Sequence, residues 1–377
     1  MTTLRGRDPH TGKAVAVQLC EGRIVSIEPS ATDEECWLSA GLVDLQVNGY
    51  AGFDLNAEDL TLDTMHQLTL ALLRTGVTSY LATLITQSEK RLIAALATIA
   101  KAREAFPLVK HALVGVHMEG PHLSPEDGAR GAHPLEHVRT PSIDEFDRWQ
   151  AASDNIIRLV TVSPHWLEAP DYIRALRDRD VLVSLGHTHA DSEQVRASID
   201  AGAQLSTHLG NGVASTLPRH PNLLWTQLAD DRLTAMLIAD GHHLPDDTLR
   251  VFLRAKGLER VVLVSDTVAL GGCKPGRYQQ PVGGDVELLA NGRLQLSGTP
   301  YLAGAALPLK DGVAHLVQRL NMPLADALAL ASTRPAALLR RHASLEVGAP
   351  ADLIRFKLDA ENGFQVESTY VSGELIA

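Results

Sequence analysis

Residues 181–189 read VLVSLGHTH. An almost unbroken apolar run rich in β-branched residues is what a strand buried on both faces looks like, yet this one stops in two imidazoles, His187 and His189. Runs of the same kind recur on either side: GLVDLQV (41–47), GVTSYLATLI (76–85), HALVGVHM (111–118), IIRLVTVS (156–163), QLSTHL (204–209), LTAMLIAD (233–240) and VVLVSD (261–266). With VLVSLGH they make eight. Stretches such as DLTLDTMHQLTLALLRT and SEKRLIAALATIAKAREAF lie between them, with apolar positions at three- and four-residue intervals that predict helices. Eight strands alternating with helices point to an α/β chain folded as a (β/α)8 TIM-like barrel, although a doubly wound sheet gives a similar alternation. The barrel reading carries the sharper expectation, because chemistry in such barrels gathers where the strands stop.

The two ends of the chain read differently. AVAVQLC and RIVSIEP near the start, and ADLIRFKLD and QVESTYVSGELIA near the finish, are strand-like and lack helical periodicity. Residues 1–40 and 346–377 are therefore expected to pair into one small β-sandwich domain, with 41–345 forming the barrel.

Composition narrows the function classes. A chain of 377 residues, 45% hydrophobic and 21% charged, can bury a large core. Its net charge of -11 is dispersed and only 4% of residues are aromatic, which argues against a nucleic-acid partner. No leader-like or membrane-spanning apolar run appears, so the expected location is cytoplasmic, with no membrane partner. Cys20, Cys36 and Cys273 are scattered and read as packing residues.

Polar residues fall at the strand ends. Twelve of the sixteen histidines lie between 111 and 243. The first run leads to Gln46 and Asn48, the third to His117 and Glu119, the fifth to His187, the sixth to His208, the seventh to Asp240 and the eighth to Asp266. Two imidazoles and a carboxylate at three strand ends supply the kind of donor set that holds a catalytic Zn²⁺ with one position open. Such an ion activates water and polarises a carbonyl, which suits amide hydrolysis, and Asp266 is placed to act as general base. His189 reads as part of the turn into the next helix, His117 as a supporting partner of a ligand, and His111 and His165 as structural. A non-catalytic barrel that binds a ligand would be expected to have lost one of these groups, and none is missing.

In order along the chain, GVHMEGPHLSP, RGAHP, VSLGHTHA, STHLGNG, IADGHH, LVSDT and YLAGAAL resemble the motifs of N-acetylglucosamine-6-phosphate deacetylases of the amidohydrolase superfamily. The resemblance implies metal ligation by Glu119, His187 and His208, catalysis by Asp266, and a contact from His133 to the substrate amide. It further implies substrate contacts from Ala132, Asn211, Gly212, His243, Leu302, Ala303 and Gly304. The implied reaction is removal of acetate from N-acetylglucosamine 6-phosphate by a homodimer with one divalent ion, Zn in preference to Fe, Co or Ni.

Two departures stand out. Where many superfamily members carry a His-x-His pair ending the first strand, this chain has Gln46, Val47 and Asn48, a vestigial second-metal position that favours one tightly held ion over two, with a weak second site left open. The loop GNGVASTLPRHPN keeps an arginine, Arg219, at the distance where relatives grip the sugar phosphate, but lacks their following glutamate-proline-glycine. That keeps open an unphosphorylated or differently configured N-acyl amino sugar, or a cyclic amide.

Overall fold

The structure is a computed structural model describing residues 2–31, 34–280 and 284–377. Eight parallel strands follow one another around a barrel: Leu42–Val47, Val77–Ile85, Leu113–Glu119, Ile157–Val162, Leu182–Leu185, Leu205–Ser206, Thr234–Leu237 and Val261–Leu263. These are the eight expected runs, in chain order, so the doubly wound alternative falls away. The eighth strand meets the first through Asp266 N to Gln46 O at 2.9 Å and Asn48 N to Thr267 O at 2.8 Å.

Alternation along the strands divides the core in two. Val43, Leu45, Leu159, Leu205, Met236, Val262 and Val264 fill the barrel interior. Their neighbours Leu42, Val160, Val183, Ala235 and Leu263 face outward beneath the helices, as side chains pointing to opposite faces of a strand must. The helices start at side-chain caps: Ser88 accepts from Arg91 N, Ser142 from Glu145 N, and Asp191 forms a capping box with Gln194. Asp191 thus starts the helix after the fifth strand, with His189 in the segment leading into it.

Both termini contribute to one seven-stranded mixed sheet. Strands Thr2–Arg7, Ala14–Cys20, Arg23–Pro29 and Trp37–Ala40 join Leu353–Asp359, Gly363–Val371 and Glu374–Leu375. Its contacts with the barrel include Thr369 Oγ1 donating to Leu73 O at 2.7 Å and His111 Nε2 against Asp352 Oδ2 at 2.9 Å, the structural use expected of His111.

One element was not anticipated. After the eighth barrel strand the chain forms a four-stranded antiparallel sheet, Gly276–Gln280, Gly284–Leu288, Arg293–Leu296 and Leu302–Ala305, over a small core of Leu270, Val286, Leu288, Leu294 and Ala306. Its last strand lies along the barrel mouth, where Val268 N donates to Ala305 O at 3.0 Å. Among the described residues no helix is long and apolar enough to cross a membrane.

Candidate active site

The strand-end residues leave their strands by a shared backbone device. His187, His208 and Asp266 have φ of 47°, 27° and 53°, in the left-handed region that non-glycine residues rarely adopt. Strain of this sort persists where surrounding structure over-determines it, and its concentration at one barrel mouth marks a functional site. Gly212 closes over the pair. Its own φ is 60°, and a Cβ there would lie 2.9 Å from His187 Nδ1 and 3.1 Å from His208 Cε1, so no larger side chain fits.

Glu119, from the third strand, is the centre of the cluster. Its Oε1 lies 3.1 Å from His208 Nε2 and 3.3 Å from His187 Nε2, and those two nitrogens are 3.0 Å apart. Burial alone would raise the Glu119 carboxyl, but the hydrogen bonds and charges of the two histidines hold it well below the usual carboxylate range. His187 Nδ1 faces Ala129 O at 3.0 Å. A carbonyl only accepts, so Nδ1 carries a proton and Nε2 is the nitrogen a bound ion would take.

This donor set fits a divalent ion. Ligand atoms about 2.0–2.1 Å from a tetrahedral Zn²⁺ stand roughly 3.3 Å from one another, close to the edges of the Glu119–His187–His208 triangle. With His187 Nδ1 fixed on Ala129 O, its Nε2, His208 Nε2 and Glu119 Oε1 converge on one point as the ligands of a cation would. Ligand atoms of Glu119, His133 and His187 also fall within 4.8 Å of one another. That looser grouping places His133 beside the triangle, its ring edge-on to His187 with centroids 4.4 Å apart.

His133 is buried, with Nδ1 3.0 Å from Thr86 Oγ1. Burial first, and His187 second, push its imidazole down to about 3, so it stays neutral at ordinary pH. Asp266 is shifted the opposite way, upward, by desolvation and by the negative charge of Glu119; a cation between them would reverse the second cause.

The position expected to be a vestigial metal site does something else. Gln46 Nε2 donates to Glu119 Oε1 at 2.7 Å, and Asn48 Nδ2 donates to Asp266 Oδ1 at 2.7 Å. Each amide serves a carboxylate. His117 makes no bond to the cluster; its Nε2 meets Thr161 Oγ1 at 2.7 Å in a buried hydroxyl chain continuing to Thr207 and Ser184.

The cluster opens into a cavity of about 270 Å³ whose walls include Ala132, His133, Asn211, Gly212, His243 and the segment Leu302–Gly304. All the expected substrate-contact positions except Arg219 line it. Arg219 is exposed on the loop after Gly212, and no Lys or Arg is among the lining residues. Among the described residues Asn211 Nδ2 is buried without a protein partner, a donor aimed at the cavity rather than at the fold. His243 is held by Asp240, whose Oδ2 lies 2.7 Å from Nδ1 and whose Oδ1 accepts the backbone N–H groups of His242 and His243. Asp240, read from sequence as the polar end of the seventh run, thus positions His243, while Thr86, Asp54, Asn56 and Gln280, the last three also in the wall, lie outside the motifs and carry no signal in the sequence.

Comparison with known proteins places this geometry. The model of the amidohydrolase family matches residues 37–376. The chain belongs to the amidohydrolase family. It is therefore a hydrolase of carbon–nitrogen bonds in a metal-dependent family, and the donor cluster is where this amidohydrolase can hold its ion. It is 32% identical over 329 residues to the N-acetylglucosamine-6-phosphate deacetylase of Bacillus subtilis, covering 86% of this chain and 81% of that one. An N-acetylgalactosamine-6-phosphate deacetylase of Escherichia coli is 31% identical, covering 95% and 94%. Among solved structures, the N-acetyl-D-glucosamine-6-phosphate deacetylase of Mycobacterium smegmatis superposes with a TM-score of 0.86 at 27% identity, covering 97% of this chain and 96% of that one. That of Thermotoga maritima gives 0.84 at 25% identity, covering 100% and 99%.

Proposed function

We propose that this amidohydrolase removes the acetyl group of N-acetylglucosamine 6-phosphate, giving glucosamine 6-phosphate and acetate. The observation that carries the reading is the triangle of Glu119, His187 and His208 with Asp266 at the same mouth, in a chain whose full-length relatives bear this activity in their names.

Glu119, His187 and His208 are the metal ligands in this reading, with Zn²⁺ the ion assigned and Fe, Co or Ni compatible with the same donors. When bound, the ion supplies Lewis-acid polarisation and a lowered pKa for water. The chain's own groups do the rest. Asn48 occupies Asp266 Oδ1, leaving Oδ2 to take the proton of the attacking water and then to hand it to the departing amide nitrogen. With Thr86 Oγ1–H donating to His133 Nδ1, the neutral ring offers Nε2–H to the acetyl oxygen as negative charge builds there. Water adds to the acetyl carbon, the C–N bond breaks, and acetate and a free amine result.

Asn211, Gly212, His243, Ala132, Leu302, Ala303 and Gly304 form the sugar pocket, and Arg219 is assigned to the phosphate, which its forked donors suit. We assign catalysis to residues 41–345 and the small domain to 1–40 and 346–377. The assembly assigned is a homodimer, on the resemblance of the sequence motifs, and the location assigned is cytoplasmic. Acetate release from the 6-phosphates of N-acetylglucosamine and N-acetylgalactosamine and from their unphosphorylated forms tests the reading; turnover highest on N-acetylglucosamine 6-phosphate supports it, and no release from any of them overturns it.

A further inference from the structure

A second pair of imidazoles meets outside the cavity. Past the ends of the fourth and fifth barrel strands, His165 and His189 lie with ring centroids 4.4 Å apart and planes inclined by 41°. The buried pair His187–His208 has its centroids 4.7 Å apart, so the outer rings are no more distant than the inner ones.

Each outer ring is tied inward through Nδ1 to a buried serine: His165 to Ser163 Oγ and His189 to Ser124 Oγ, both at 2.6 Å. Anchoring at Nδ1 turns the opposite edge of the ring, with Nε2, away from the serines. His189 is exposed, His165 is half-buried, and neither Nε2 has a protein hydrogen-bond partner among the described residues.

The network also assigns the proton of one ring. The Ser163 hydroxyl donates to Thr188 Oγ1 at 2.7 Å, so its oxygen accepts from His165 Nδ1–H. Nε2 of His165 then carries a lone pair. A metal-binding histidine takes this form, its other nitrogen donating to a fixed oxygen that sets tautomer and orientation. Ser124 Oγ already accepts from Glu126 N at 3.0 Å and can accept from His189 Nδ1 as well, leaving His189 Nε2 equally available.

We propose that His165 and His189 form an accessory, solvent-facing site for a divalent transition-metal ion of the imidazole-preferring group, Zn²⁺, Ni²⁺ or Cu²⁺, with water completing its coordination. Two neutral imidazoles without a carboxylate bind more weakly than the Glu119 cluster, so the site fills only when metal is in excess. It is linked to the cavity wall: Ser124 N donates to His187 O at 2.9 Å, and Thr188, bonded to Ser163, follows His187 directly. An ion joining His165 to His189 therefore ties down both anchors of the turn that carries His187.

The test is a Ni²⁺ titration of the full chain already loaded with its tightly bound metal, followed by calorimetry, with the resident metal assayed before and after. Wild type is expected to take up one further ion at micromolar concentration without losing the first and to melt at higher temperature when it is bound. His165→Asn and His189→Asn should each weaken that uptake at least tenfold while keeping deacetylase activity in the absence of added Ni²⁺. Uptake by both variants equal to wild type, or no further ion bound by wild type at millimolar Ni²⁺, overturns the proposal. Should either variant lose its fold, Cu²⁺ added to loaded wild type decides: an electron paramagnetic resonance spectrum with hyperfine structure from two equivalent nitrogens supports the site, and one without nitrogen coupling overturns it.

Discussion

Asn48 Nδ2 donates to Asp266 Oδ1 at 2.7 Å, joining the end of the first barrel strand to the end of the eighth at the seam where the barrel closes. Gln46, two residues earlier, donates to Glu119 Oε1 at the same distance. The Gln-x-Asn sequence thus holds two carboxylates in place. A carboxylate with one oxygen engaged by a neutral amide keeps the other available for a proton, which is the condition that proton transfer by Asp266 requires.

Asp266 and Asn48 should separate chemistry from positioning. Asp266→Asn is expected to leave metal content unchanged and to lower kcat by about 10²–10⁴, the usual contribution of a general acid–base group. Asn48→Ala should lower kcat by roughly tenfold, since the base remains but its orientation is lost. Metal analysis beside steady-state rates checks both; a variant lacking Asp266 with wild-type kcat would remove it from the mechanism.

The same pair bears on how many ions the site holds. Gln46 and Asn48 stand 2.7 Å from the two carboxylates, so imidazoles in their place would face Glu119 and Asp266 with lone pairs in place of amide protons. The double variant Gln46→His, Asn48→His is expected to raise bound metal from one ion to two per chain by elemental analysis after dialysis. His208→Ala in the natural chain should drop the content below one. A double variant still holding one ion would show that the amides do not decide the count.

Much of the fold is legible because parallel strands covered on both faces must be apolar throughout. GLVDLQV and VVLVSD announce themselves, and the polar residues that end them mark the mouth. The strand ends are less legible. QLSTHL suggests a strand over 204–209, whereas the ladder covers only Leu205–Ser206, because the backbone bends into the left-handed region at His208 to aim its ring. The sheet formed by the four strands Gly276–Gln280, Gly284–Leu288, Arg293–Leu296 and Leu302–Ala305 escapes notice since they are short and mostly only partly buried or exposed, so no continuous apolar run betrays them. The work of Gln46 and Asn48 could not be read at all: their partners lie 73 and 218 residues away, and an amide has no periodicity.

Buried histidines set the expected acid response. His117, His122 and His165 are pushed down to about 4, and His133 to about 3, in each case chiefly by burial. Unfolded histidine titrates near 6.5. Between about 4 and 6.5 the unfolded chain therefore binds protons that the folded chain refuses, and stability falls as pH falls through that window. Asp44, pushed up to about 6 by burial, acts in the opposite sense between about 4 and 6 and offsets part of the effect. The urea midpoint is expected to drop steadily from pH 7 to pH 4.5, and His122→Asn should reduce the slope of the unfolding free energy against pH by about 1.4 kcal/mol per pH unit, the contribution of one proton. A midpoint constant over that range would contradict the burial argument.

Arg219 tests the phosphate. It is exposed on the loop that follows Gly212 and has no partner among the described residues, and none of the described residues lining the cavity is a lysine or arginine, so a phosphate reaching the mouth meets no cation in the wall. An exposed guanidinium that pairs with phosphate contributes binding and leaves the acetamide chemistry alone. Arg219→Ala is therefore expected to raise KM for N-acetylglucosamine 6-phosphate by roughly 10-fold, the equivalent of about 1.4 kcal/mol, with kcat little changed. KM for unphosphorylated N-acetylglucosamine should stay the same. Equal increases for the two sugars would move the phosphate contact to another residue, because a general loss of loop structure makes no distinction between them.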